Sequence, residues 1–199
     1  YYTDRAENAH IKNGKLFITT IKENYEGFNY TSASLQTRGS KSFLYGRIEM
    51  RAKLPSGPAI WPAFWTLGND LDWPNCGEID IMEMFGSESG DKIVTGNVHW
   101  QKDGKHTSMG AKHELLNGKK LGDNFHIYAI EWDKDEIKFF FDDICYFTFP
   151  IDDDAKAHGF RQPHFILINT AVHPWTKGVE NNTYPQQYII DYIRVYQKQ

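Results

Sequence analysis

Turn signals cut this chain at short, regular intervals, and most of the stretches between them read as strands. Asn13-Gly14 is a hairpin turn between Ala9–Lys12 and residues 15–22. Pro55-Ser56-Gly57-Pro58, Asp133-Lys134-Asp135 and Asp142-Asp143 punctuate the chain in the same way. Between such signals, residues 30–37, 43–54, 60–67, 92–101, 125–132, 136–142, 144–149, 165–172 and 188–196 carry β-branched and aromatic residues in alternation. Residues 101–122 are rich in lysine and glycine and read as a loop with one short edge strand, and 152–159 reads as a single helical turn. No repeat, linker or amphipathic helix interrupts the pattern. A single all-β domain over residues 1–199 follows, built as a β-sandwich or jelly roll.

The stretch Cys76-Gly77-Glu78-Ile79-Asp80-Ile81-Met82-Glu83-Met84-Phe85-Gly86 is the unusual strand. Alternation puts Glu78 and Asp80 on one face and Ile79 and Ile81 on the other. Glu83 has the wrong parity and joins the two acids only if the strand carries one extra residue, a β-bulge, a device common beside active sites. Three acids on an otherwise apolar strand suit glycoside hydrolysis. That chemistry sets a carboxylate nucleophile against a protonated carboxyl, and a separation of about 5–5.5 Å gives retention of configuration. With the bulge, the two glutamates stand about 13 Å apart at Cα, a gap that inward-leaning side chains narrow. Asp80 between them can hydrogen-bond the nucleophile and keep Glu83 protonated. A metal site is the competing reading, although hard cations usually take clustered carboxylates from a loop with a glycine turn.

Aromatic content is high, with 6 Trp, 11 Tyr and 13 Phe, and Trp61, Trp65 and Trp73 flank the acids in sequence. Tryptophan faces stack on the apolar C–H faces of sugars. Trp61 and Trp65 share parity, which leaves Phe64 for the core. Glu49 and Arg51 share a face on a strand expected beside the acid strand, as a cross-strand ion pair or as hydrogen-bonding partners for sugar hydroxyls. His99 is a structural histidine or a ligand near the reacting sugar. Asp191, between Ile189 and Ile193, must be ion-paired, hydrogen-bonded or bound to a metal, with calcium the candidate. Catalysis of this kind requires no cofactor.

Net charge is −4 with the two signs scattered, unlike the basic footprint of a nucleic-acid binder. No run is long enough for a membrane-spanning helix. Cys76 and Cys145 are too few for a disulfide framework and read as two buried thiols. Asn29-Tyr30-Thr31 and Asn181-Asn182-Thr183 are glycosylation sequons of a kind that chance produces. A start at Tyr1 rather than Met suggests that a leader or upstream segment has been removed.

Four stretches carry a family resemblance: Tyr30-Thr31-Ser32-Ala33, Tyr45-Gly46-Arg47-Ile48-Glu49-Met50-Arg51-Ala52-Lys53-Leu54-Pro55, Trp61-Pro62-Ala63-Phe64-Trp65, and Trp73-Pro74-Asn75-Cys76-Gly77-Glu78-Ile79-Asp80-Ile81-Met82-Glu83. They resemble the laminarinase-type members of glycoside hydrolase family 16, and Asp191-Tyr192-Ile193-Arg194-Val195-Tyr196 is similar to that family's last strand. The resemblance implies a jelly roll of two curved antiparallel sheets with a concave sugar cleft. It also implies a retaining endo-hydrolase of β-1,3-glucan or mixed β-1,3/1,4-glucan. Glu78 would then be nucleophile, Asp80 its assisting acid and Glu83 the general acid/base. Trp61, Trp65, Trp73, Glu49, Arg51, His99, Asn8 and Asn169 would bind substrate. In this family the unbulged E-x-D-x-E form goes with lichenases and xyloglucan-active enzymes, and the bulged form with laminarinases, agarases and carrageenases. Hydrolysis of algal galactans and non-catalytic carbohydrate binding are therefore the alternatives, and the Trp-Pro-Ala-Phe-Trp and Gly-Arg-Ile-Glu-Met-Arg flanks favour β-glucan. Members of the family carry a few tens of residues ahead of the position of Tyr1, including a first strand and part of a calcium site. Where they commonly show Ala-Val-Gly-Gly, this chain has Ala171-Val172-His173-Pro174 followed by Trp175, a change expected to reshape one end of the cleft. The protein expected from this resemblance is a monomer that meets a polysaccharide or oligosaccharide outside the cell, secreted or held at the surface or in the periplasm.

Overall fold

A computed structural model describes every residue except 71, 88, 117, 174–176 and 199, so the expectation about Trp175 lies outside the described residues. Its strands are β1 (Ala9–Lys12), β2 (Lys15–Tyr25), β3 (Phe28–Thr31), β4 (Ser34–Gln36), β5 (Gly46–Lys53), β6 (Ile60–Gly68) and β7 (Glu78–Glu83). They continue with β8 (Ile93–Lys102), β9 (Lys105–Glu114), β10 (His126–Trp132), β11 (Glu136–Phe141), β12 (Ile144–Pro150), β13 (His164–Val172) and β14 (Gln186–Tyr196). One α-helix, α1 (Asp154–Phe160), lies between β12 and β13. One sheet has the order β1-β2-β14-β5-β10-β11-β12, with β3 on β2, and the other has the order β4-β13-β6-β7-β8-β9. All pairings between these strands are antiparallel.

The core lies between the sheets. From the larger sheet it takes Ile48, Met50, Tyr128, Ile130, Phe139 and Tyr188, and from the smaller one Phe64, Ile79, Ile81, Val94, Val98 and Ile168. In β8 the buried residues are Val94, Gly96, Val98 and Trp100, so Thr95, Asn97 and His99 point to the outer face. No helix among the described residues is long and apolar enough to cross a membrane.

Several boundaries differ from the pattern in the sequence. Residues 101–122 hold a strand of ten residues, β9, joined to β8 through Asp103 and Gly104, both at positive φ. β9 is the sheet's edge and mostly exposed, so it lacks the apolar alternation that marks inner strands. Residues 30–37 divide between β3 and β4, which belong to different sheets. The single turn expected at 152–159 is a seven-residue helix, capped by the Asp153 carboxylate on Lys156 N–H and anchored by buried Phe160. Of the two thiols expected in the core, Cys76 is buried and Cys145, on β12, is exposed.

Gly96 is a position that admits no side chain. A Cβ there would stand 2.6 Å from both Phe139 Cδ1 and Tyr146 Oη, and the Phe139 ring is fully buried. Gly96→Ala is expected to cost about 1–3 kcal/mol by overpacking and to lower the melting temperature by about 3–10 °C. Calorimetry of the variant checks this, and an unchanged transition would show that the rings yield freely.

Candidate active site

β7 lies between β6 and β8. Ile79 and Ile81 pack into the core, while Glu78 and Asp80 take the outer face. The extra residue expected before Glu83 is present. Along β6 the partners run Trp65↔Asp80, Phe64↔Met82 and Ala63↔Glu83; along β8 they run Asp80↔Asn97 and Glu83↔Thr95. Ile81 and Met82 thus stand together against Gly96 alone, and both are buried. A regular strand would have room for one inward side chain there. The bulge turns both inward and returns Glu83 to the face of the other acids.

Tryptophans hold the two glutamates. Trp73 Nε1–H donates to Glu78 Oε2 at 2.7 Å, and Trp61 Nε1–H donates to Glu83 Oε1 at 2.8 Å. Each indole thereby fixes a carboxylate while its ring stays at the surface; Trp73 is 52% exposed. Trp65 Nε1–H donates to Asn169 Oδ1 at 2.8 Å, and the Asn169 amide continues to Tyr2 Oη at 3.0 Å. On β8, His99 Nε2 lies 3.0 Å from Asp80 Oδ2. Trp61, Trp65, Trp73, His99 and Asn169 are therefore gathered around the three acids.

Charge is distributed unevenly across the triad. Burial raises the Glu83 pKa to about 7, the Glu78 charge adds to the rise, and the Trp61 hydrogen bond opposes it. Asp80 is pushed well above the carboxylate range by complete burial, then by Glu83 and Glu78. Burial also raises Glu78, but hydrogen bonds from Asp80 and Trp73 and the nearby His106 all favour its ionised form. Hydrogen bonds thus favour the anion at Glu78, while burial and the neighbouring charges favour the protonated forms of Asp80 and Glu83. His99 is pulled down to about 4 by burial and by His106, and is neutral.

Three of the residues expected to bind sugar stand elsewhere. β5 pairs with β14 and β10 in the larger sheet, not with the acid strand. Its core residues are Ile48, Met50 and Ala52, so Glu49 and Arg51 point out of the opposite face of the sandwich. There Glu49 takes Arg47 Nε–H at 2.9 Å, and Arg51 donates to Asp191 at 2.6 Å. Asn8 is fully buried, its amide donating to Thr19 O and Thr31 Oγ1 and its carbonyl taking Arg5. Asp191 fits an ion pair better than a calcium site, since its neighbours are the cations Arg51 and Lys15. Among the described residues, the group with metal-like spacing is Glu78, Asp80 and His99, whose ligand atoms lie within 4.8 Å of one another. Glu78 Oε2 already receives the Trp73 N–H.

Sequence reasoning missed Phe85, whose ring packs on Trp61 with centroids 5.1 Å apart, and His106, whose ring lies 4.8 Å from Trp73. The Asp103-Gly104 dipeptide was the signal for His106. A two-residue hairpin there sets His106 opposite Gln101, on the face that carries His99.

The profile of the glycosyl hydrolases family 16 matches residues 1–194. A beta-glucanase of Rhodothermus marinus is 41% identical over 98% of this chain and 73% of its own length. The clotting factor G alpha subunit of Tachypleus tridentatus is 36% identical over 99% of this chain, which spans 29% of that protein. The laminarinase catalytic domain of Thermotoga maritima superposes with a TM-score of 0.86 at 40% identity, covering 100% of this chain and 83% of that one.

Proposed function

The chain belongs to glycosyl hydrolase family 16, and we propose that Glu78, Asp80 and Glu83 are its catalytic residues, working by double displacement on β-glucan. The enzyme is an endo-glucanase of β-1,3-glucan, mixed β-1,3/1,4-glucan or both, as several of its relatives are. The observation that supports the residue roles is geometric: the bulge sets Glu83 on the face of Glu78 and Asp80, and each glutamate is held by its own indole N–H.

In the first step the Glu78 carboxylate attacks the anomeric carbon. The glycosidic bond breaks with its electron pair on the leaving oxygen, which takes the Glu83 proton. The Glu83 carboxylate then removes a proton from water, whose oxygen attacks the same carbon and releases Glu78. Two inversions give net retention. Trp61, Trp65, Trp73, His99 and Asn169 line the sugar path in this reading. Monomeric action outside the cell, on polymer or oligosaccharide, belongs to the same proposal.

Product analysis on laminarin and lichenan tests it. Internal oligosaccharides of retained anomeric configuration are expected by proton NMR, at a rate that falls as pH rises through about 7 and Glu83 loses its proton. An enzyme that leaves laminarin, lichenan and barley glucan uncut, or releases inverted products, would sink the proposal.

A further inference from the structure

A second histidine stands behind His99 and takes no part in the double displacement. His106 Nε2, on the edge strand β9, lies 2.8 Å from His99 Nδ1, and the two rings are nearly parallel with centroids 5.1 Å apart. The His106 ring also packs against Trp73, which donates to Glu78.

The hydrogens along this path follow from what each atom can do. Val98 N–H donates to Asn97 Oδ1 at 3.0 Å, so the Asn97 amide nitrogen is the atom that meets His99 Nε2, also at 3.0 Å. An amide nitrogen only donates. His99 Nε2 therefore accepts, and the single proton of the neutral ring sits on Nδ1, from which it is donated to His106 Nε2. Asp80 Oδ2, buried and 3.0 Å from the same Nε2, then faces a lone pair and no donor. The Nε2 lone pair is already taken by the Asn97 N–H, so this contact gives an Asp80 anion no donor and favours the neutral carboxyl, whose hydrogen is shared with Glu78. The directions already described, Asp80 well up and His99 down, agree with this assignment.

We propose that His106 is a positioning residue of the hydrolytic site: by accepting the Nδ1 proton it fixes the His99 tautomer, which keeps the shared hydrogen on Asp80 and the negative charge on Glu78. This rests on the catalytic reading of the three acids. The titratable groups facing Asp80 are Glu78 and Glu83 on its own strand and His99 on β8, backed by His106 on β9; the facing positions of β6, Trp65 and Ala63, carry no charge. Without the acceptor, His99 can move its proton to Nε2 and donate to an ionised Asp80. A charge there raises both glutamates, so the whole pH profile moves upward.

Two variants separate the acceptor from the ring. His106→Phe keeps a ring against Trp73 and cannot accept, whereas His106→Gln offers a carbonyl in its place. His106 is exposed on an edge strand, so neither change threatens folding. For His106→Phe, kcat on laminarin is expected to fall about tenfold with KM nearly unchanged, and the acid limb of kcat/KM to rise by about half a pH unit or more. His106→Gln should stay close to the parent in both. Nitrogen-15 NMR of the His99 ring, which needs no turnover, should show the proton on Nδ1 in the parent and on Nε2 in His106→Phe. A parent already protonated at Nε2, a His106→Phe enzyme with unchanged kcat and profile, or a His106→Gln enzyme as impaired as His106→Phe would each overturn the proposal. A parent that cuts no glucan at all overturns the hydrolytic reading instead, and the NMR result still decides the tautomer.

Discussion

Glu78→Gln is expected to lower turnover of laminarin by at least about 1,000-fold while oligosaccharide binding persists. The amide has the shape of the carboxylate and can still take the Trp73 N–H, so the pocket keeps its form. What disappears is the anion proposed to attack the anomeric carbon. The change in charge has a second consequence, which separates a catalytic role from a structural one. Glu78 raises both Asp80 and Glu83, so its neutralisation lets each hold its charge more easily. A carboxyl whose folded pKa lies above its unfolded value stabilises the fold only at low pH. For Glu83, that contribution is complete below 4.5 and lost as pH rises through about 7. Glu78→Gln weakens this loss, so the variant should melt no lower than the parent, with its gain largest at and above neutral pH. Parallel calorimetry, inhibitor binding and reducing-sugar assays check all three points. Activity within tenfold of the parent would remove Glu78 from the role of nucleophile, and a large fall in melting temperature would mark it as structural.

The parts of this site that were legible in the sequence share one property: their geometry is local. Parity along residues 78–83 gives the face of Glu78 and Asp80 and demands the bulge before Glu83, because alternation is fixed within a strand. Trp61 and Trp65 obey the same rule. Glu49 and Arg51 show where it stops. Their parity is as clear as that of the acids, yet parity does not say which sheet a strand joins or which of two outer faces it meets. β5 joins the larger sheet, and that is decided by contacts with β14 and β10 far along the chain. The length of β9 was hidden for another reason. An exposed edge strand has no apolar face to display, and only the Asp103-Gly104 turn betrays it. Asn8 illustrates a third limit: in the turn before β1, its structural role is hidden until the buried partners that satisfy it, here Arg5, Thr19 and Thr31, are known.

Deleting Met82 is expected to lower kcat/KM on laminarin about 100-fold without moving Glu83 to a different partner. The register makes this a clean experiment. Glu83 already pairs with Ala63 on β6 and Thr95 on β8, and removal of one residue after Asp80 leaves those pairings in regular alternation. The bulge's own contribution is what changes: its bend and added twist, which aim the Glu83 carboxyl toward Trp61 Nε1 and, in the proposed mechanism, toward the leaving oxygen. A reacting group misplaced by about 1 Å costs roughly 100-fold. The deletion also removes a fully buried side chain opposite Gly96, and that loss of packing must be separated from the loss of aim. Met82→Ala serves this purpose, since it empties the same space at a cost of about 2–5 kcal/mol while the extra residue stays in the strand. If the bulge places the acid, Met82→Ala should be less stable yet turn over near the parental rate, and the deletion should be slow even at temperatures where it is fully folded. Equal activity in the two variants would mean that the strand tolerates either spacing, and that Met82 contributes volume to the core but nothing to the position of Glu83.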